Sequence, residues 1–512
     1  MTDPLVLITG AGPTGLVLAL WLTKLGVKVR IIDMISEPGT TSRALAVQAR
    51  TLEFYHQVGI DDAVVAGGVK IRNLNLWVKG HRAGRVPLQD TGKGLTPYAF
   101  ALVFPQDAHE RLLIERLGTL GVPVERQTEL LRFTQDDRGV TATLRRPDGS
   151  EEVCEASYLA GCDGASSTVR GQLGIGFPGG TYTGLFYVAD VVARGEAVEN
   201  GDLSVDIEDA DFILLFPLNG NRHVRLVGTV RDLPDAEHGK LSFEDVRGKA
   251  LEHLKLDVEK VNWFSTYRVH HRVALRFRDR RAFLLGDAAH IHSPVGGQGM
   301  NTGIGDAVNL AWKIAAVLKD KAPETLLGTY EPERIPFAQR LVATTDRGFT
   351  VVTSRGGFAR MVRTRIVPLL VPLVSRLGTF RRLLFRTVSQ TRVNYRGSSL
   401  SAGTAGRVHG GDRLPWVELG SGEDNFAPLT SLKWQVHVYG EVGSGVREAC
   451  VGLGLPLHVF AWKQAMQDAR LQNAAIYLVR PDGYVALADP RADPGGLRQY
   501  FAERGGRRLI GA

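Results

Sequence analysis

The chain has 512 residues, 44% of them hydrophobic and 23% charged. That is an ordinary globular balance, which excludes intrinsic disorder, collagen and coiled coil, and the length is too great for a single core. Its formal net charge of +8, from 62 Lys and Arg against 54 acids, is a mild basic excess spread along the chain, so it reads as solvated surface and no nucleic-acid partner is expected.

Three cysteines, Cys154, Cys162 and Cys450, supply neither a disulfide framework nor a zinc site, which suits a reducing, cytoplasmic setting. No basic segment followed by an apolar one precedes the first strand, which begins by about Leu5, so a signal peptide is not expected. The apolar run "RIVPLLVPLVSRL" from Arg365 is well short of the ~20 residues that a spanning helix needs, so no stable membrane insertion is expected.

The first elements lie in "PLVLITGAGPTGLVLALWLTKLGVKVRIIDMI". Leu5 to Thr9 reads as a strand buried on both faces. From Pro13, the apolar positions Leu16, Leu20 and Leu25 fall at helical intervals until Gly26 closes the helix, and Val27 to Ile32 form a second strand. Gly10, Gly12 and Gly15 make G-x-G-x-x-G at the strand-to-helix turn, with Pro13 and Thr14 inside it. The first glycine permits the tight turn, the second lets backbone approach a pyrophosphate, and the third lets helix and strand pack closely. Asp33, 23 residues after Gly10, stands where an acid accepts a ribose hydroxyl. The pattern leaves FAD and NAD both open.

Further on, "SYLAGCDGASSTVRGQLGI" is an apolar strand ending at Cys162-Asp163-Gly164, followed by a short helix. Taken alone, Asp-Gly is a common turn. Between about 179 and 274, "DFILLFPL", "HVRLVGTV" and "WFSTYRVH" read as antiparallel strands. Phe216, Pro217, Tyr267 and His270 lie on them, and strand alternation allows each to face either a ligand or the core.

The stretch "RRAFLLGDAAHIHSPVGGQGMNTGIGDAVNLAWKIAAVL" reads as a buried strand from Ala282 to Leu285, an acid at its end, a glycine-rich bend and an amphipathic helix carrying Leu310, Trp312, Ile314 and Val317. A strand end beside a helix start is where open α/β sheets bind ligands. From Phe358 to Arg386 the chain mixes arginines with Met361, Leu369, Leu373 and Leu377. The preferred reading is a set of helices bracing the first domain, with arginine stems shielding their apolar side, and the alternative is a membrane-surface helix. A Gly/Ser-rich linker from Tyr395 leads to a last domain in which "YLVRPDGYVAL" reads as a hairpin turning at Asp482-Gly483.

The three glycine motifs in this order resemble those of the FAD-dependent aromatic hydroxylases, the single-component, p-hydroxybenzoate hydroxylase-like flavoprotein monooxygenases, and are most similar to those of phenol and aromatic-polyketide hydroxylases. The resemblance extends over nearly the whole chain through "SRALAVQARTLEF" from Ser42, "FPQDAHERLL" from Phe104, "TYEPERIPFAQ" from Thr329 and "RPDGYVAL" from Arg480. It implies an α/β fold made of a Rossmann-like FAD-binding domain, an inserted antiparallel-sheet substrate domain and a C-terminal thioredoxin-like domain. The expected division is 1–178 and 275–395 for the FAD domain with its bracing helices, 179–274 for the substrate domain with residues near 76–100 added, and 396–512 for the last, which lacks C-x-x-C.

Carried over residue by residue, the resemblance assigns cofactor contacts to Gly10, Gly12, Pro13, Thr14, Gly15, Asp33, Arg43, Gln106, Asp163, Gly164, Asp287, Gly297, Gly299, Met300 and Asn301, the Asp163-Gly164 motif serving both FAD and NADPH in the family. Asp287 is expected on the ribityl chain and Asp33 on the adenosine ribose. Gly296 to Asn301 would lay bare backbone against the flavin ring, the glycines making room for it. Pro294 is the catalytic position, its carbonyl beside the flavin C4a. Ser166 stands where relatives often carry Arg.

The implied reaction uses FAD, NADPH (or NADH) and O2 to hydroxylate a small aromatic substrate, phenolic or polycyclic polyketide, through a flavin C4a-hydroperoxide. A Baeyer–Villiger oxygenase acting on a polyketide ketone and a non-catalytic FAD- or ligand-binding protein are the alternatives. The W-x-W-x-I-P segment of flavin halogenases is not found. Monomer and homodimer both remain open.

Overall fold

The computed structural model describes residues 5–39, 44–206, 213–230, 241–293, 297–353, 357–420 and 422–510. A parallel sheet sets the architecture. Leu5–Thr9 pairs with Lys28–Asp33 on one side and with Tyr158–Gly161 on the other, which pairs in turn with Ala282–Leu284. Val124–Arg126 extends the sheet beyond Lys28–Asp33, and Arg278–Asp279 closes the opposite edge antiparallel. The inner strands are continuous apolar runs because helices cover them, with Val6, Leu7, Ile8, Leu159, Phe283 and Leu284 fully buried. The helix Pro13–Lys24 starts with proline in its first turn, where the missing N–H costs nothing, and Gly26 with φ +75° lets the chain leave it.

The helix Gly299–Lys319 differs from its expected amphipathic form. Every residue from Asn301 to Ala316 is buried, Asp306, Asn309 and Lys313 included. The physical reason is that each side has a cover. Pro13–Lys24 and Tyr330–Thr353 pack on it, and Trp312 meets Trp434 of the last domain edge-on at 5.6 Å.

The second layer is an antiparallel sheet in the order His290–Ile291, Asp257–Val273, Gly179–Arg194, His223–Val230, Ile213–Pro217, Leu203–Asp206, Asn73–Val78, His81–Pro87, with one parallel pair between Leu203–Asp206 and Asn73–Val78. Strand alternation gives it two faces. Tyr187, Ala189, Val191, Leu215 and Leu226 form a core with the helix Phe243–Leu254, and Phe186, Leu214, Tyr267 and Val269 cluster on the opposite face.

The last domain has its own sheet, ordered Val408–His409, Ala402–Ala405, Val485–Asp489, Ile476–Val479, Gln435–Tyr439, Leu457–Phe460. Its helices Ser444–Leu453 and Pro494–Glu503 pack together. The segment before it forms Gly357–Met361, a π-turn Val362–Ile366, Val367–Val374 and Gly378–Val388. Contacts that fix them go to His81–Pro87 and the turn after it, outside the first domain that they were expected to brace: a Cβ on Gly84 would meet Pro372 at 2.9 Å and one on Gly92 would meet Phe385 within 2.3 Å. The expected shielding by arginine stems fails, because Leu369, Leu370, Leu373 and Leu377 face outward.

Candidate functional site

Parallel pairing sends the C-terminal ends of Leu5–Thr9, Lys28–Asp33, Tyr158–Gly161 and Ala282–Leu284 to one edge, so Gly10, Asp33, Cys162 to Gly164, and Gly286 with Asp287 converge there. Backbone hydrogen bonds stitch the loops together: Gly10 N–H donates to Ile32 O at 2.9 Å, Cys162 N–H to Thr9 O at 2.8 Å and Leu285 N–H to Gly161 O at 3.0 Å.

The three glycines of the first loop have different reasons. Gly10 has φ +96°, and a Cβ there would lie 2.2 Å from Cys162 O; on Gly15 it would lie 2.0 Å from Gly10 O. Both are required by packing. A Cβ on Gly12 would meet nothing within 4 Å, so Gly12 faces open space, at a helix start with no side-chain cap. Thr14 is the meeting point of the loops. Its Oγ1 would lie 2.6 Å from a Cβ on Gly286 and 2.2 Å from one on Gly303.

Asp33 accepts Ala11 N–H on Oδ2 at 2.6 Å and Ile35 N–H on Oδ1 at 2.8 Å. Arg126, which no motif singled out, lies 3.8 Å from it with a buried Nη2 that has no partner among the described residues. Asp163 Oδ2 accepts Val169 N–H at 3.1 Å, and its buried Oδ1 has no partner among the described residues. Burial raises the Asp163 pKa. Gly164, at φ +76°, has open space around it, and Arg170 donates across to Ala288 O at 2.9 Å, joining the second motif to the third.

In the third motif Asp287 is exposed, in the turn Gly286–Ala288. Behind it lies a buried charge cluster that sequence reading missed. Asp306 Oδ2 accepts Gly286 N–H at 3.0 Å and contacts His290 Nε2 at 2.7 Å, and its Oδ1 accepts Arg334 Nε–H at 2.5 Å. Burial opposes the Asp306 charge, but Arg334 and His290 hold its pKa below the usual carboxylate range. His290 thereby has a positioning role, fixing the loop from beneath. Buried charges on two helices leave no local sequence signal, so nothing short of the fold links Asp306 to Arg334.

Asn301 spends its whole side chain on the protein. Oδ1 accepts from Gln48 N–H and Thr51 Oγ1, and Nδ2 donates to Ala46 O and Gly297 O, all within 2.9 Å. Gly297 has φ +60° and packs on Ala46, where a Cβ would lie at 2.6 Å. Close packing on the Ala46 and Thr14 side chains therefore already explains Gly297, Gly286 and Gly303, beyond the expected room for a ring. Gly299 and half-buried Met300 begin the helix, also without a side-chain cap. Gln106 opens the helix Gln106–Thr119 and donates to Glu110 at 2.8 Å. Arg43 and Pro294 lie outside the described residues.

On the antiparallel sheet, Tyr267 stacks obliquely with Phe186 at 5.6 Å, and His270 Nδ1 contacts Thr181 Oγ1 at 2.7 Å. Phe216 is half-buried against the small cluster around Leu45 and Val103, and Pro217 is buried. The sheet also buries Arg225 against Asp190, with Nη2 donating to Oδ2 at 2.6 Å. A surface hollow of about 730 Å³ lies elsewhere, between Asp90 to Gly94 and Leu377 to Arg382, and touches none of the three motifs.

The site has the physical features of a dinucleotide cradle: an open glycine, uncapped helix N–H groups, and orphaned polar atoms on Asp163 and Arg126. The family described as "FAD binding domain" matches residues 3–345. The 6-methylpretetramide 4-monooxygenase of Streptomyces rimosus is 34% identical over 523 residues, spanning 96% of this chain and 91% of its own. The pentachlorophenol 4-monooxygenase of Sphingobium chlorophenolicum is 32% identical over 424 residues, 81% of this chain and 76% of its own. Among solved structures, the anhydrotetracycline hydroxylase from Streptomyces rimosus superposes with a TM-score of 0.78 at 29% identity over 99% of both chains.

Proposed function

The chain belongs to the FAD-binding aromatic hydroxylase family and is an FAD-dependent monooxygenase, and from that premise we propose that it takes electrons from NAD(P)H to hydroxylate a polycyclic aromatic substrate of polyketide type. The observation that carries the cofactor site is the meeting of three motif ends on one sheet edge around open Gly12. The substrate class follows the tetracycline-type relatives, similar over nearly the full chain.

In this reading the N–H groups after Gly12 and the Pro13–Lys24 dipole hold the pyrophosphate, and Asp33 with Arg126 holds the adenosine end. Asp163 Oδ1 and Asp287 take hydroxyls of the linking chain. Gln106 flanks it, and the backbone at Gly297, Gly299, Met300 and Asn301 faces the ring edge; the roles of Arg43 as an FAD contact and of Pro294 as the catalytic position rest on the family resemblance alone. FAD bound there supplies hydride acceptance and oxygen activation. The chain's own work is to hold the aromatic ring against the apolar face bearing Phe186 and Tyr267 and to keep water out.

We read the domain division as 1–178 with 275–395, 179–274, and 396–512, the last being thioredoxin-like. Counting its four central strands from Gln435, the order 4-3-1-2 with the third antiparallel supports this. Cys450, its single cysteine, is buried and its pKa is pushed up to about 11 by burial, so it packs rather than exchanges disulfides.

The test is anaerobic reduction of the FAD-loaded chain by NADPH and by NADH, followed at the flavin's visible absorbance, with and without phenols and tetracycline-like polyketides. Acceleration of bleaching by a polycyclic phenol supports the proposal. Failure of both nicotinamides under every substrate condition refutes the donor, and acceleration by simple phenols alone refutes the substrate class.

A further inference from the structure

The basic charge is less evenly spread than the overall count implies. Between Asp346 and Asp412 the sequence carries twelve arginines, no lysine and no acid, more than the whole chain's net charge of +8. Within this stretch Met361, Ile366, Leu369, Leu373 and Leu377 recur at helical intervals along Gly357–Met361 through Val367–Val374 and just beyond. That face points outward. Leu369, Leu373 and Leu377 are 73%, 58% and 59% exposed, whereas Arg363, Pro368 and Ser375 are turned inward. A helix packed on a water-soluble body shows the reverse pattern.

On the neighbouring helix Gly378–Val388, Leu383, Leu384 and Val388 are exposed beside Arg382. Nine of the exposed large hydrophobic residues of the described chain fall between Met361 and Val388, a concentration that marks an interaction face rather than scattered surface apolarity. Arg365, Arg376 and Arg382 have no ion-pair partner among the described residues. Arg386 has its pKa lowered by burial first and then by the neighbouring charges of Arg470, Arg392 and Arg413.

We infer that the outward face of the helices between Met361 and Val388 adsorbs to an anionic lipid bilayer, its leucines entering the headgroup boundary while its arginines meet lipid phosphates. Exposed leucines interleaved with unpaired arginines, with no acid among them, match a surface that is apolar just below a layer of negative charge. A second copy of the chain is a poorer complement, since a two-fold contact would set the arginines of one face against those of the other. Adsorption also needs no spanning segment, and no helix among the described residues is long and apolar enough to cross a membrane.

The test is co-sedimentation of the full FAD-loaded chain with vesicles of phosphatidylcholine alone and of equal parts phosphatidylcholine and phosphatidylglycerol. We expect capture by the anionic vesicles, weakened by raised salt. The double variant Leu369→Ser/Leu373→Ser should bind at least about tenfold more weakly. Arg376→Gln and Arg382→Gln should each bind about fivefold more weakly. All these residues are exposed, so an unchanged flavin spectrum checks the fold. Absence of capture by anionic vesicles, or equal capture of the wild type and the leucine variant, overturns the inference. A dimer in sedimentation velocity that the leucine variant dissolves also overturns it and gives the face to a second copy.

Discussion

In the proposed site, substitutions at Gly10 and Gly12 separate folding from cofactor binding. Gly10→Ala places a methyl 2.2 Å from Cys162 O at a φ of +96° and should destabilise the chain by about 2–4 kcal/mol, read by chemical denaturation without FAD. Gly12→Ala meets nothing within 4 Å; the apoprotein should melt like wild type while FAD affinity, read by flavin fluorescence, falls at least about tenfold. Arg334→Met removes the arginine from the buried Asp306 charge and leaves it only His290 and the Gly286 N–H, at a cost of about 3 kcal/mol. His109 sets an acid limit. It is fully buried against Tyr55 and its pKa is lowered by burial to about 3 from 6.5. The unfolded chain therefore takes up a proton below pH 6.5 that the folded chain refuses until about 3, so stability is lost as the pH is lowered through that window, by about 1.4 kcal/mol per unit. His109→Gln, measured by denaturant titration at several pH values, should lose that share of the slope.

At the scale of elements, legibility followed locality. The strand, glycine turn and helix from Leu5 to Lys24 are written in adjacent residues, and the structure has them there. The Gly299–Lys319 helix was legible as a helix but not as a buried one. Two of its covers, the Pro13–Lys24 helix and Trp434, are remote in sequence. Burial of Lys313 requires Glu333, whose carboxylate also takes Arg480, Asn309 and Ser398. Glu333→Gln strands the buried Lys313 ammonium and leaves Arg480 with Asp482 alone, and should cost at least about 3 kcal/mol, with loss of far more than the local helix. The same non-locality hid the outward leucines of Val367–Val374, because periodicity reports that a helix has an apolar face and not which way it turns.

At the scale of the whole molecule, the linker after Tyr395 read as a boundary between separate domains, yet the two sides share one buried charge network. Arg480 joins Glu333 at 2.8 Å and Asp482, Trp312 donates to Asp482 at 3.1 Å, and Arg413 reaches Glu53 at 2.6 Å. The core is continuous there too, with Trp312, Ala316 and Leu326 packed among residues of the last sheet. The chain should therefore melt in a single calorimetric transition, and a second, separate transition for the last domain would argue against this coupling. In the function proposed, the sheet edge around Gly12 holds FAD so that one oxygen atom is transferred to an aromatic ring. It is tested most directly by turnover of the FAD-loaded chain with NADPH, a polycyclic phenol and isotopically labelled dioxygen, with the product read by mass spectrometry. Hydroxylation by this route leaves one labelled oxygen on a ring carbon of the product. Product without label, or substrate recovered unchanged while FAD is bound and reduced, would contradict it.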